Sequence, residues 1–178
     1  MTETADLVGT DPASLFSDAY RHYSPGVCGY LRTRGVEDPE AVTQDVFLAL
    51  YPRLGHVTGG LAGLRTLIFT IAHARAVDSH RVRARTPVTI EYDPAHDFRL
   101  TGSAEDEVLD AISGGHELLE NLPEDYREVL ALRIIADLSL EATARIMNKS
   151  QGAIKQLQRR ALARLKETRQ ETKGQGKS

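Results

Sequence analysis

The chain has no tryptophan, one cysteine, and only six tyrosines and four phenylalanines among 178 residues. A lone Cys28 excludes both a disulfide framework and a thiolate zinc cluster, and a buried structural thiol is the role expected of it. No stretch approaches the roughly 18 apolar residues of a membrane span, so no membrane insertion is expected. The start, MTETADLVGTDPAS, is acidic and lacks a charged-then-apolar leader pattern, which points to a cytoplasmic protein. Phosphate-cradling glycine signatures, G-x-x-x-x-G-K-[ST] or G-x-G-x-x-G, are missing. The six histidines are scattered, and none stands four residues from another with a carboxylate beside it. No catalytic residue, metal site or cofactor is therefore expected, and no enzyme.

What is present is a segregated charge. The net charge is −3, which alone would disfavour a nucleic-acid partner. From Glu91 to Glu120, however, nine carboxylates stand against Arg99 alone, whereas Arg75 to Arg85 and Lys149 to Lys173 are basic. Phosphate attraction is local, so two basic patches around an acidic spacer outweigh the average.

Apolar residues recur with helical spacing, and no period-2 pattern of any strength appears, so the fold class expected is all-α. Asp11-Pro12 and Asp38-Pro39 each offer a capping acid before a proline at the first helical position. The first such helix should end near Ser24-Pro25, with a second running from Val27 to Arg34 up to Gly35. The next carries Ala41 to Tyr51. Gly55 to Gly60 reads as a loop, and a long helix follows from about Leu61 to Arg83. The prolines and acids from Thr86 onward read as a linker. Helices then resume at about Gly115 to Asn121 and Pro123 to Ala136. The expected division is a disordered 1–10, a domain over 11–85, an acidic linker over 86–114, a second domain over 115–170 and a polar tail over 171–178.

Leu138 to Leu165 is the most informative stretch. Ser139 can cap one short helix with Leu140, Thr143, Ala144 and Met147 on one face. Asn148 tolerates the left-handed conformation of a helix end, and Ser150 can cap a second helix. In that helix Ile154, Leu157, Ala161 and Leu165 form the inner stripe. Two helices joined by a three- to four-residue turn, the second bearing Ser150, Gln151, Lys155, Gln156, Arg159 and Arg160, make a helix-turn-helix with a DNA-reading face. Gln suits adenine edges, and Lys and Arg suit guanine or phosphate.

At this point the chain resembles the extracytoplasmic-function (ECF) subfamily of bacterial RNA polymerase sigma factors, over nearly its whole length. Glu37 to Tyr51 is similar to the family's helix that docks on the clamp helices of the polymerase's largest subunit. Leu67 to His73, continuing to Asp78, resembles its promoter-melting helix. Leu122 to Leu130 with Arg133 and the helix-turn-helix resembles the domain that binds the −35 element and the flap of the second-largest subunit. The resemblance implies core polymerase contacts at Gln44, Asp45, Phe47 and Tyr51. It implies −10 and melting contacts at His73, Arg75, Asp78, Ser79, His80, Arg81 and Arg83, with the loop of residues 55–64 holding an unstacked base. Promoter DNA, core polymerase and an anti-sigma factor are the partners it implies. The chain departs from the family at Leu67, His73-Ala74, Thr143, Asn148 and Leu157. Two other readings compete: a conventional helix-turn-helix regulator, or a sigma-like module that sequesters a regulator.

Overall fold

The computed structural model describes residues 11–85, 119 and 121–175, with side chains through Glu167. Every regular element among them is helical, and no strand occurs among the described residues. The expected linker and the helix of 115–121 lie outside the described residues, apart from Leu119 and Asn121.

Asp11 caps the first helix, α1 (Pro12–Thr33), by accepting from the Ser14 amide, as its sequence suggests. The break expected at Ser24-Pro25 does not occur. Pro25 sits inside α1, where it removes one intrahelical hydrogen bond. The apolar face nevertheless continues across it through Tyr23, Val27, Tyr30 and Leu31, all buried. Burial of that face outweighs the lost bond. Gly35, with φ of 71°, ends the turn after α1.

Asp38 caps α2 (Pro39–Leu50) through the Ala41 amide. A 3-10 helix (Tyr51–His56) follows where the sequence suggested that a loop had begun at Gly55. Gly59 and Gly60, with φ of 80° and 60°, then turn the chain into α3 (Gly60–Arg85). The three long helices pack on one another around Val27, Tyr30, Leu31, Val46, Phe47, Leu50, Leu64, Ile68 and Phe69. Phe69 stands edge-on to Tyr30 at 5.9 Å, an arrangement that contributes beyond area burial alone. Cys28 is only partly buried, and its thiol points at Glu40 from 3.7 Å, so it is not the fully buried thiol expected.

In the C-terminal half α4 (Glu124–Leu130) loosens into a π turn (Ala131–Ile135). Asp137, at φ of 48°, then redirects the chain into α5 (Leu140–Ile146). Asn148, at φ of 51°, makes the next turn into α6 (Gln151–Gln175). Leu119, Leu122, Val129, Leu130, Ala144, Ile154 and Ala161 form a second core. The short helix α5 is buried on two faces. Leu140, Ala144 and Met147 face the second core, while Ala142 and Ile146 join Ala131, Leu132, Ala136 and Leu138 in the core of α1 to α3. The two halves therefore share an apolar seam.

Candidate nucleic-acid interface

Capping fixes the turn between α5 and α6. Ser139 Oγ accepts from the Ala142 amide at 3.1 Å, and Ser150 Oγ from the Ala153 amide at 3.1 Å. Each satisfies a backbone donor that a helix start leaves free. Between them the Asn148 amide donates to Arg145 O, and the Lys149 amide to Ala144 O. Ile154 and Ala161 are buried under α6, with Leu157 and Leu165 packed beside them. That anchoring leaves Gln151, Lys155, Gln156, Arg159 and Arg160 exposed along the other side. Ser150 serves as the cap and is itself exposed. Gln158 is held by Arg133, whose Nε donates to Gln158 Oε1 at 3.2 Å. Arg133 also donates to Leu138 O, so it ties α6 to the turn preceding α5.

On α3 the predicted residues divide. Arg75, Asp78, Arg81 and Arg83 are exposed, and Ser79 is half-buried. Arg81 lies 3.7 Å from Asp78, and Arg83 lies 3.5 Å from Glu37. His80 is committed inward, with Nε2 2.7 Å from Arg34 O. His73 is committed to the C-terminal half: its Nδ1 lies 2.7 Å from Glu128 Oε1 and 3.2 Å from the Tyr30 hydroxyl. In this arrangement neither imidazole is free to read a base.

Glu128 is the centre of that contact. Its Oε2 accepts from Arg34 Nη1 at 3.3 Å, and Arg34 Nη2 lies 3.2 Å from Glu124 Oε1. Burial pushes the Glu128 carboxyl up, but the contact with His73 and the charges of Arg34, His73 and Lys149 more than reverse this. It is held below the ordinary glutamate value. Burial, with the Glu128 charge adding to it, pushes the Tyr30 hydroxyl strongly up, so it stays a neutral hydrogen-bonding group.

The loop entering α3 is held by close backbone contact. A Cβ on Gly63 would lie 1.7 Å from Thr58 O and 2.8 Å from Thr58 C, so only glycine fits beneath this turn. Arg65 reaches from the first turns of α3 to Asp137, with Nη1 3.0 Å from its carbonyl and 2.9 Å from Oδ2.

On α2, Gln44 and Asp45 are exposed and Tyr51 is 53% exposed. Phe47 is 1% exposed and packs edge-on against Phe16 and Tyr20, at 6.2 and 4.9 Å. It belongs to the core and offers no docking surface, which corrects its assignment to a partner contact. Leu48, 69% exposed, stands on the outer face of α2 with the exposed Gln44, Asp45 and Tyr51. Its signal was legible, since an apolar residue three before Tyr51 and four after Gln44 shares their face. Among the described residues no group of histidine, cysteine and carboxylates is placed to hold a metal ion. Nor is any helix among them long and apolar enough to cross a membrane.

A charged helix packed into a capped helical turn, on an all-helical chain, defines a class of DNA-reading protein. Residues 118–167 match the family described as Sigma-70, region 4. The chain is 32% identical over 171 residues to the ECF RNA polymerase sigma factor BldN of Streptomyces coelicolor, covering 93% of this chain and 64% of BldN. It is 29% identical over 166 residues to the ECF sigma factor ShbA of Streptomyces griseus, covering 86% and 87%. To SigD of Mycobacterium bovis it is 33% identical over 132 residues, 71% of this chain and 60% of that one. It thus spans about two thirds or less of the length of BldN and SigD. Among solved structures, CnrH in complex with the cytosolic domain of CnrY shares the fold, with a TM-score of 0.59 at 20% identity over 89% of this chain and 88% of that one. The chain belongs to the ECF subfamily of RNA polymerase sigma factors.

Proposed function

We propose that the protein is a dissociable specificity subunit that brings core RNA polymerase to promoters, reads the −35 and −10 elements and assists melting. The observation that carries this is α6: a helix anchored by Ile154 and Ala161 and capped by Ser150 presents Gln151, Lys155, Gln156, Arg159 and Arg160 together to solvent. The first turns of such a helix enter the major groove, with base contacts specifying and phosphate contacts positioning. Residues 115–170 form the −35 domain in this reading, and residues 11–85 the domain for the polymerase and the −10 element.

Gln44, Asp45, Leu48 and Tyr51 offer the clamp of the polymerase an exposed face with an apolar centre. Arg75, Arg81 and Arg83 follow the backbone near the −10 element. The turn at Gly59-Gly60 receives an unstacked base, whose lost stacking is replaced by protein contacts. An anti-sigma factor is the regulatory partner of this reading. In vitro transcription with core polymerase and mapping of start sites tests it. The expected result is initiation at a discrete promoter set only when the protein is added, and unaltered start sites would sink it.

A further inference from the structure

Two kinds of contact hold α6 in the helix-turn-helix. Ile154, Leu157, Ala161 and Leu165 pack it onto the second core. Apolar packing is non-directional, so it sets how deep the helix sits more firmly than how it is turned about its axis. One side chain off the reading face supplies a directional contact. Arg133, half-buried in the π turn, donates from Nε to Gln158 Oε1 at 3.2 Å and from Nη1 to Leu138 O.

The Leu138 carbonyl depends on that bond. It precedes the cap of α5, where the Thr143 amide donates to Ser139 O instead. Leu138 is 2% exposed, so water has little access to it. Its amide is held as well, donating to Leu132 O at 3.0 Å. Two nitrogens of one rigid plane thus grip two segments: the turn that launches α5, and α6 about two turns past its cap.

The second grip bears on the reading face. Gln158 lies on the stripe of Gln151, seven residues before it, and beside Lys155, three residues before it. Turning the helix at Gln158 therefore turns both of those side chains relative to the groove. A rotation of about 20° moves a side-chain tip, roughly 5–6 Å from the helix axis, by about 2 Å. That is enough to break one hydrogen bond of a bidentate pair.

We propose that Arg133 is a positioning residue for −35 readout. Acting through Gln158, it fixes the rotation of α6 so that Gln151, Lys155 and Gln156 meet their base edges, and it makes no DNA contact of its own. This rests on the promoter-reading function proposed above.

The test measures binding by reconstituted holoenzyme to a −35 mutant library, followed by a salt series. The variants are Arg133→Met, Gln158→Met, the double variant and Gln158→Glu, with helicity by circular dichroism as the folding check. Arg133→Met and Gln158→Met should each weaken preference about fivefold at the bases read from the first turns of α6, the effect of losing one hydrogen bond. The double variant should lose no more than either single one, because both remove the same contact. Gln158→Glu keeps an acceptor for Arg133 and should keep the preference, whereas a Gln158 that read bases by its own amide would lose it. Arg133→Met should leave the salt slope unchanged. A slope lowered by about one with preference intact would make Arg133 a phosphate contact and overturn the proposal. Additive losses in the double variant, or lost preference in Gln158→Glu, overturn it too. If Arg133→Met loses helicity, Gln158→Met and Gln158→Glu decide alone, and equal preference in the two overturns it. Wild-type holoenzyme indifferent to the −35 sequence refutes the promoter-reading function and this inference with it, while a discriminating wild type with equally discriminating variants refutes this inference alone.

Discussion

Gly63 sets two effects of opposite sign against each other. It lies within the first turns of α3, where Gly→Ala ordinarily stabilises a helix by up to about 1 kcal/mol. Against that, the added methyl would stand 1.7 Å from Thr58 O, far inside van der Waals contact. Because the obstructing atom is backbone, the loop of residues 57–59 must shift by more than 1 Å, and forced overpacking of this kind costs roughly 1–3 kcal/mol. The clash should win. Gly63→Ala is expected to lower stability by about 1–2 kcal/mol net, a fall in Tm of about 2–8 °C for a chain of this length. Urea unfolding gives the first readout and permanganate footprinting of promoter melting the second. Melting should fall more than −35 binding, because the displaced loop is the one proposed to take the unstacked base. A Gly63→Ala protein more stable than wild type, with melting intact, would refute the reasoning.

Phe47→Ala should cost about 3–5 kcal/mol, the range for emptying a buried aromatic site, whereas Asp45→Arg should leave stability within about 0.5 kcal/mol and weaken core binding. Equal unfolding midpoints for wild type and Phe47→Ala would put Phe47 back on the surface. Gln156→Ala should relax preference at one −35 position by roughly 1–3 kcal/mol if its contact is bidentate. Arg160→Ala should weaken all promoters alike and reduce the salt slope by about one. A −35 mutant library read with reconstituted holoenzyme separates the two, and the reverse assignment would mean that α6 is rotated. Glu128 is held below the ordinary glutamate value of 4.5, facing Arg34, His73, Lys149 and Tyr30. Its stabilisation is thus complete above that value and lost as pH falls through the lowered one. Urea midpoints measured from pH 6 to 3 should fall less steeply for Glu128→Gln, and parallel curves would disprove this.

The helices and their caps were legible because they are local. Asp11, Asp38, Ser139 and Ser150 cap as their spacing requires, and Asn148 takes the left-handed turn expected of it. Pro25 misled because a local penalty was weighed without the buried stripe on either side. Phe47 misled because resemblance placed it in a docking motif, although its spacing from Val46 and Leu50 admitted a core position.

The seam was the least legible part, since no pattern in one half announces its partner in the other. Two signals existed nonetheless. Arg34 continues the stripe of Val27, Tyr30 and Leu31, and Glu128 precedes Ala131 and Leu132 on one face. A charge placed on an apolar stripe at both ends of a chain is the trace of a long-range pair.

The seam also bears on how the protein is made. Ribosomes extend the chain from its N-terminus, so α1 to α3 emerge about sixty residues before Ile146 completes their cover. At about 5–20 residues per second this interval lasts roughly 3–12 s. Throughout it the oily flank later covered by Leu132, Leu138 and Ile146 faces the cytosol or a chaperone. Nascent chains stalled after Arg85 should accordingly be cut by protease more readily than chains stalled beyond the last helix. Biosynthesis thus passes through a stage in which the core of α1 to α3 lacks part of its cover.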